Sequence, residues 1–182
     1  TKGTYKEGNF RVVHAPKINC SMIDFGIGSP QAALVINCLA YLDQLKAVIM
    51  LGMCGGIDDT LEIGDFVIPS AAIRGEGTSN DYFPPEVPAL PSFKLHKFVS
   101  QKIMDHGHEY RTGVVYTTNR RLWEHDTKFL DRLKQMTCIA IDMETATIFV
   151  VGHYNEIARG ALLLVSDTPI TPEGVKTEAS DM

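Results

Sequence analysis

The stretch CIAIDMETATIFVVGHYN, residues 138–155, contains the change of pattern on which the fold class depends. Its first part, residues 138–144, is a short apolar run that ends in acidic residues, which is typical of a buried strand. Its second part, residues 145–155, has the length and composition of a helix. A strand that runs directly into a helix is the repeating unit of α/β proteins, so this stretch predicts that class.

The same alternation extends outward from this unit in both directions. Strands are predicted at residues 19–28, 46–52, 64–73, 110–118 and 158–169, and helices at residues 29–45, about 91–105 and 120–136. We therefore expect an α/β fold around a mixed or parallel, largely buried sheet.

Serine and proline residues add detail to this prediction at three places in the chain. Ser29 is a natural N-cap and Pro30 suits the first helical position, and apolar residues then recur on one helical face. That face contains Ala32, Val35, Ile36, Leu39 and Leu42. Pro69 indicates that its strand bends or lies partly at an edge. Residues 75–92 form a long loop with four prolines, and loops of that length are usually functional or disordered.

Composition and charge exclude several classes of function. The chain has 182 residues, of which 45% are hydrophobic, and this suits one domain, residues 1–182, with a substantial core. A formal net charge of −5 argues against nucleic-acid and membrane-surface partners. No signal peptide or membrane-spanning run is present, so we expect a cytoplasmic protein. The chain starts without methionine and stops without a closing element, which suggests a domain incomplete at both ends.

The four cysteines indicate reduced thiols rather than a metal centre or a disulfide framework. None forms a CxxC pair, and no Cys/His cluster has the spacing of zinc ligands. We expect no metal and no cofactor.

Chemistry is expected where strands end, because ligands of open α/β sheets bind beyond the carboxyl ends of strands. Asp167 ends an apolar run, where burial raises a carboxyl pKa and allows proton donation near neutral pH. The alternative is that Asp167 only caps a turn. Met143 and Glu144 follow another strand and suit the face and hydroxyl groups of a sugar. The alternative is that Glu144 only complements the helix dipole.

Two further strand ends offer cations and an aromatic ring. Arg120 and Arg121 suit a phosphate, although a solvated helix start with Glu124 nearby is the alternative. Arg74, Glu76 and Tyr82 adjoin or lie in the long loop, and Tyr82 either stacks on a base or plugs the loop against the core.

The glycine-rich stretch MLGMCGGI, residues 50–57, poses a separate question. A glycine turn after an apolar run often binds an anion through its backbone N–H groups. Here no Lys, Arg, Ser or Thr accompanies the turn, and its outward residues are expected to be Met50 and Met53.

Six motifs in order carry a resemblance that spans nearly the whole chain. They are GIGSPQAAL, GMCGGI, IGDFVIPSAAIRGEGTS, VYTTN, IDMETAT and LLVSDTP. In this order they resemble the purine nucleoside phosphorylase and uridine phosphorylase superfamily, and GMCGGI and TTNRRLWEHD most resemble its AMP nucleosidase branch. The resemblance implies a three-layer α/β/α sandwich around a mixed sheet, and a homohexamer built as a trimer of dimers.

The resemblance also implies cleavage of the N-glycosidic bond of a purine nucleoside or nucleotide. Asp167 then protonates purine N7 with Ser166 orienting it, while Met143 and Glu144 bind the ribose. Residues 26–29 and 52–56 line the sugar and nucleophile side. The residues expected to bind substrate are Met143, Ser166, Gly28, Gly52, Arg74, Glu76, Tyr82, Asn119, Arg120 and Arg121.

Met50 and Met53 stand where the phosphorylases of this superfamily carry an Arg and a Ser or Thr that hold phosphate. Water is therefore the expected nucleophile, with Asp142 and Glu76 as candidates for the base that activates it. Two arginines at one strand end favour AMP as the substrate, hydrolysed to adenine and ribose 5-phosphate. The alternatives are a purine nucleoside phosphorylase, a methylthioadenosine-type nucleosidase, a catalytically silent nucleotide-binding module, and a structural subunit of a hetero-oligomer.

Overall fold

The structure is a computed structural model that describes residues 4–6 and 10–170. Residues 171–182, where the sequence is expected to lack a closing element, lie outside the described residues. The strands are β1 (Thr4–Lys6), β2 (Arg11–Ala15), β3 (Cys20–Asp24), β4 (Ala47–Gly56), β5 (Phe66–Gly75), β6 (Arg111–Thr118), β7 (Cys138–Asp142) and β8 (Ala158–Asp167). The α-helices are α1 (Ser29–Leu39), α2 (Phe93–Asp105), α3 (Thr127–Gln135) and α4 (Thr145–Tyr154).

Five strands form a mixed sheet in the order β4-β7-β6-β5-β8, which closes on itself. The pairs β4–β8, β5–β6 and β6–β7 are parallel. Closure is completed by two short antiparallel contacts, β4 with β7 and β5 with β8. The predicted α/β class and the mixed sheet are confirmed, and the closure is a feature that the sequence pattern did not predict.

A second, antiparallel sheet consists of β1, β2 and β3. Only β3 was predicted from the sequence. In β2 the side chains are exposed or half-buried, because this small sheet contributes little to the main core. Its apolar residues therefore lack the continuous run that marked the buried strands.

Helix α4 is buried along nearly its whole length, from Thr145 to Gly152. It packs against α1 and against strands β5 and β8, so apolar residues are required on all of its faces. Phe149 at its centre is fully buried. The helix predicted at residues 145–155 is thus confirmed, and it forms the middle of the core.

Several local predictions need correction. Gly28, not Ser29, occupies the N-cap of α1, and the Ser29 hydroxyl instead donates to the Met143 carbonyl at 2.7 Å. On the face predicted for α1, Leu42 lies beyond the helix end and is exposed. The stretch at residues 50–57 is not a turn, because β4 continues through Gly56.

Two other elements differ in extent or shape. Helix α3 begins at Thr127 rather than at residue 120, and Asp126 caps it by accepting from Phe129 N at 3.0 Å. Residues 119–126, which were predicted mostly as helix, are therefore irregular. The bend expected at Pro69 is present as a shift of register between β5 and β6. In residues 4–6 and 10–170, no helix is long and apolar enough to cross a membrane.

Candidate active site

An open cleft lies where strands β4, β7 and β8 end, with residues 119–126 contributing one wall. The cleft is open to solvent, and its cavity volume is about 160 Å³. The cleft is lined by Ile27, Met53, Cys54, Gly55, Arg120, Arg121, Trp123, Glu124, Ile141, Asp142, Met143, Glu144, Ser166 and Asp167.

Asp167 occupies the last position of β8 and is only 8% exposed. Burial raises the pKa of its carboxyl group, and the negative charge of Glu124 adds to this. The Ser166 hydroxyl donates to Asp167 Oδ1 at 2.7 Å, and the positive charge of Arg121 also opposes the rise. The result is a carboxyl group that faces a ligand cleft and holds a proton more readily than an exposed aspartate.

Glu144 lies at the N-cap of α4 and is likewise 8% exposed. Its Oε1 accepts from the backbone N–H of Gly28 at 2.5 Å, which connects the start of α4 to the start of α1. Gly28 has a φ of 100°, a backbone conformation that residues with side chains rarely adopt, so this position favours glycine. Burial, reinforced by the nearby charge of Asp142, raises the pKa of Glu144 to about 7.

Asp142 is buried at the end of β7 and is held by three donors. Thr117 Oγ1 donates to Oδ1 at 2.7 Å, and the backbone N–H groups of Thr145 and Glu144 donate to Oδ2 at 2.7 and 3.3 Å. Burial raises its pKa, while these hydrogen bonds oppose the rise. Asp142 therefore shapes the first turn of α4 and holds the backbone from which Glu144 projects.

The two arginines have different surroundings. Arg120 Nη1 forms an ion pair with Asp126 at 2.9 Å, and its guanidinium lies 5.1 Å from the centre of the Phe129 ring. No ion pair or hydrogen bond within residues 10–170 engages the Arg121 guanidinium, although its charge lowers the pKa of both Glu144 and Asp167. Arg121 is thus the cation of the cleft that remains accessible to an anionic ligand.

Three cleft residues, Ile141, Trp123 and Glu124, were not predicted to line the site, and two of them lie in the segment at residues 119–126. Trp123 is buried and contacts the core around Leu133, and Glu124 was considered only as a partner for the arginines. The signal that would have found them is their place directly after a strand end and the arginine pair. The mistaken helix over residues 120–136 obscured it.

Met50 and Met53 of β4 were both expected to point outward, and the structure confirms this only for Met53. Met53 is 63% exposed and lines the cleft, whereas Met50 is 5% exposed and lies in the core. The Thr145 hydroxyl donates to Met50 Sδ at 3.7 Å. Met50 is therefore not an outward residue, because neighbouring positions of a strand alternate between faces and Met50 faces inward.

Four residues expected to bind substrate lie elsewhere and are engaged in holding the loop at residues 75–92. Arg74 donates to five acceptors between residues 79 and 87. Glu76 accepts from Thr147 Oγ1 at 3.0 Å, and its carbonyl accepts from Asn119 Nδ2.

Tyr82 accepts from Asn37 Nδ2 at 2.6 Å and packs edge-on against Tyr154, which is the plugging role considered above. Gly52 lies within β4, where a side chain would meet Met50 and Leu163. These five residues and Gly28, which were all predicted to bind substrate, are absent from the lining of the cleft. Among the residues that the structure describes, no group of three or more His, Cys, Asp or Glu side chains is arranged to hold a metal ion.

This chain is similar to known proteins over most of its length. A family model described as the phosphorylase superfamily matches residues 2–181. The chain is 32% identical over 164 residues to AMP nucleosidase of Escherichia coli (strain K12), which covers 84% of this chain and 33% of that protein. It is 30% identical over 155 residues to uridine phosphorylase of Treponema pallidum, which covers 80% of this chain and 60% of that protein. The chain thus spans about a third of the first relative and three fifths of the second.

Solved structures agree with the sequence relatives. AMP nucleosidase from Bacteroides thetaiotaomicron superimposes with a TM-score of 0.83 at 48% identity, covering 89% of this chain and 70% of that one. Uridine phosphorylase from Vibrio fischeri has a TM-score of 0.84 at 22% identity, covering 94% of this chain and 71% of that one, and this shows a shared fold. The three-layer α/β/α architecture is therefore that of nucleoside phosphorylases. Relatives of this chain are nucleoside-cleaving enzymes.

Proposed function

Because this chain belongs to the phosphorylase superfamily, we propose that it hydrolyses the N-glycosidic bond of AMP to adenine and ribose 5-phosphate. The observation that carries the proposal is the pairing of two buried carboxyl groups, Asp167 and Glu144, with the accessible guanidinium of Arg121 in one cleft. Each group supplies one requirement of the reaction.

Asp167 is the proposed general acid. As the glycosidic bond breaks, the leaving purine gains electron density, and a proton delivered to N7 makes it a better leaving group. The raised pKa of Asp167 favours the protonated form that donates this proton, and the Ser166 hydroxyl donates to the carboxyl group and orients it. General acid catalysis of this kind typically contributes about 10²–10⁴-fold to the rate.

Glu144 is the proposed ribose-binding carboxylate. When ionised it accepts hydrogen bonds from the ribose hydroxyls, and its negative charge stabilises the positive charge that develops on the sugar. The Gly28 N–H holds the carboxylate in place. Met143 lies beside it in the lining and offers a polarizable surface to the sugar face.

Water is the proposed nucleophile. The β4 wall presents Met53, Cys54 and Gly55, and the arginines that line the cleft come from residues 119–126 instead. A phosphate nucleophile would need cationic donors at the β4 wall, whereas water needs none. Of the two bases considered for activating that water, Asp142 lines the cleft and Glu76 does not. Asp142 is therefore the proposed base.

Arg121 is the proposed ligand of the 5′-phosphate, and Arg120 supports it from the same segment. The ion pair with Asp126 and the contact with Phe129 hold Arg120 in place, and so hold the backbone that presents Arg121. This arrangement supports AMP over adenosine or methylthioadenosine as the substrate.

The test is release of free base from AMP with and without inorganic phosphate, with the sugar product identified. Adenine and ribose 5-phosphate formed without phosphate are expected. A requirement for phosphate together with a sugar 1-phosphate product would contradict hydrolysis and indicate a phosphorylase. Asp167→Asn is the matched control, and it should reduce turnover by about 10²-fold or more while AMP still binds.

A further inference from the structure

We propose that Thr117 is a positioning residue, whose hydroxyl caps helix α4 in place of the Glu144 side chain and so leaves the Glu144 carboxylate to face the cleft. This inference deepens the proposed function, and it rests on that function for the role of Glu144 as the ribose-binding carboxylate. It names a residue outside the lining of the cleft on which that role depends.

Glu144 occupies a capping position without acting as a cap. The first N–H groups of an α-helix have no acceptor within the helix, and the side chain at the N-cap normally accepts from the second or third helical residue. Glu144 is the N-cap of α4, but its side chain accepts no such bond. It lines the cleft and accepts from the Gly28 N–H instead. Another group must therefore satisfy the buried start of α4.

Thr117 supplies the missing capping bond from a neighbouring strand. It lies near the end of β6, opposite Asp142 of β7, and is fully buried. Its Oγ1 accepts at 2.9 Å from the backbone N–H of Ala146, the second helical residue of α4. This is a bond that an N-cap side chain would accept.

The same hydroxyl is fixed in direction by Asp142. Thr117 Oγ1 donates to Asp142 Oδ1 at 2.7 Å, and Asp142 Oδ2 accepts from the backbone N–H groups of Thr145 and Glu144. A hydroxyl suits this place because it donates and accepts at once. Thr117 and Asp142 together satisfy the N–H groups of residues 144–146, with no contribution from the Glu144 side chain.

Loss of the Thr117 hydroxyl would change what Glu144 does. The Ala146 N–H is buried, and a buried donor without an acceptor is costly. The Glu144 carboxylate stands at the N-cap, from which an acceptor can reach that N–H. By turning back to cap α4 it would leave the Gly28 N–H and the cleft.

A purely structural role for Thr117 would destabilise α4 without moving the carboxylate. The amide proton of Gly28 separates the two roles, because it donates to Glu144 Oε1 and its chemical shift reports the ionisation of that carboxyl group. Asp142 and Arg121 are the charged residues that act on Glu144, and all the variants retain them.

The experiment follows amide chemical shifts by NMR between pH 5 and pH 9 in the wild type, Thr117→Val, Thr117→Ser and Thr147→Val. Valine keeps the shape of threonine without its hydroxyl, and serine keeps the hydroxyl. Thr147→Val is the matched control, because it removes another buried hydroxyl of α4, whose partner Glu76 lies outside the lining of the cleft. The measurement needs no substrate, so failure of the proposed reaction remains distinguishable from failure of this inference.

In the wild type, Thr117→Ser and Thr147→Val, the Gly28 amide should titrate with a midpoint of about 7. In Thr117→Val this titration should disappear from Gly28, and the Ala146 amide should become pH-dependent. Ribose 5-phosphate should bind Thr117→Val about tenfold more weakly than the wild type, with Thr117→Ser close to the wild type.

A Gly28 titration that persists in Thr117→Val, or that is lost equally in Thr147→Val, would overturn the inference. Should Thr117→Val fail to fold, Glu144→Ala decides. Exchange of the Ala146 amide at the wild-type rate in that variant supports capping by Thr117, whereas exchange about tenfold faster shows that Glu144 caps α4 and contradicts it.

Discussion

Glu144 changes charge near neutral pH, because burial and the charge of Asp142 raise its pKa to about 7. In the proposed mechanism Glu144 acts ionised and Asp167 acts protonated. We therefore expect kcat/KM for AMP to rise with pH as Glu144 ionises at about 7. Glu144→Gln should lose the acidic limb of this profile. An acidic limb that persists in that variant would assign the titration to another group.

The same residue links stability to pH. Folding raises the pKa of Glu144 from 4.5 to about 7 and therefore favours its protonated form. The resulting contribution to the free energy of unfolding is fully present below about pH 4.5. The contribution to the free energy of unfolding is then lost as pH rises through about 7. Denaturation of the wild type and Glu144→Gln at pH 5 and pH 8 measures this, and the variant should lose less stability between the two.

Substitution of Arg120 and of Arg121 should change KM for AMP to different extents. Arg121→Ala should raise KM for AMP by tenfold or more, about 1.4 kcal/mol, with a much smaller effect on adenosine. Arg120→Ala should have a weaker effect of the same kind, since Arg120 is engaged by Asp126. Steady-state kinetics with both substrates checks this. Equal losses on AMP and adenosine would remove the arginines from phosphate binding.

At the scale of elements, the loop at residues 75–92 depends on one side chain at the end of β5. Arg74 donates five hydrogen bonds of 2.6–3.0 Å to acceptors of this loop, and a planar guanidinium is needed to reach them together. The long loop expected from the sequence is thus ordered by a residue that was expected to bind substrate.

Arg74→Lys should therefore destabilise the loop, because a lysine ammonium carries fewer donors in a different geometry. We expect faster amide hydrogen exchange across residues 75–92 and a loss of about 1–3 kcal/mol in the free energy of unfolding. Arg132→Lys on the exposed side of α3 is the control and should change neither quantity. Unchanged exchange in Arg74→Lys would show that the loop is held by its other contacts.

At the scale of the whole molecule, one core joins the closed sheet to α1 and α4. Leu163 and Leu164 are neighbours on β8, but Leu163 is fully buried and Leu164 is 37% exposed. Leu163→Ala should reduce the free energy of unfolding by about 2–5 kcal/mol because it leaves a cavity. Leu164→Ala should cost much less, and chemical denaturation of both variants measures the difference. Similar losses would contradict the assignment of the two faces of β8.

The assembly state stays a prediction of the resemblance. A homohexamer should sediment with six times the chain mass of 20.1 kDa. Large apolar side chains are exposed on the single chain, among them Tyr41, Phe93 and Leu122. Analytical ultracentrifugation checks the mass, and a monomer would contradict the prediction.

Local sequence patterns were sufficient to predict the order of strands and helices from β3 onward, and the positions of Asp142, Glu144 and Asp167 at strand ends. These follow from local patterns, since apolar runs, helix starts and the residues that end a strand are visible within a few positions. The resemblance to the phosphorylase superfamily rests on the same short motifs, and the family match confirms it.

The directions of side chains and the contacts between distant groups could not be predicted without the fold. Met50 turned into the core while Met53 reached the cleft, and Arg74 turned to its loop while Arg121 faced the carboxylates. Closure of the sheet brought β4, β7 and β8 together. The physical reason is that each of these outcomes depends on partners far away in the chain, so no local pattern of residues contains them.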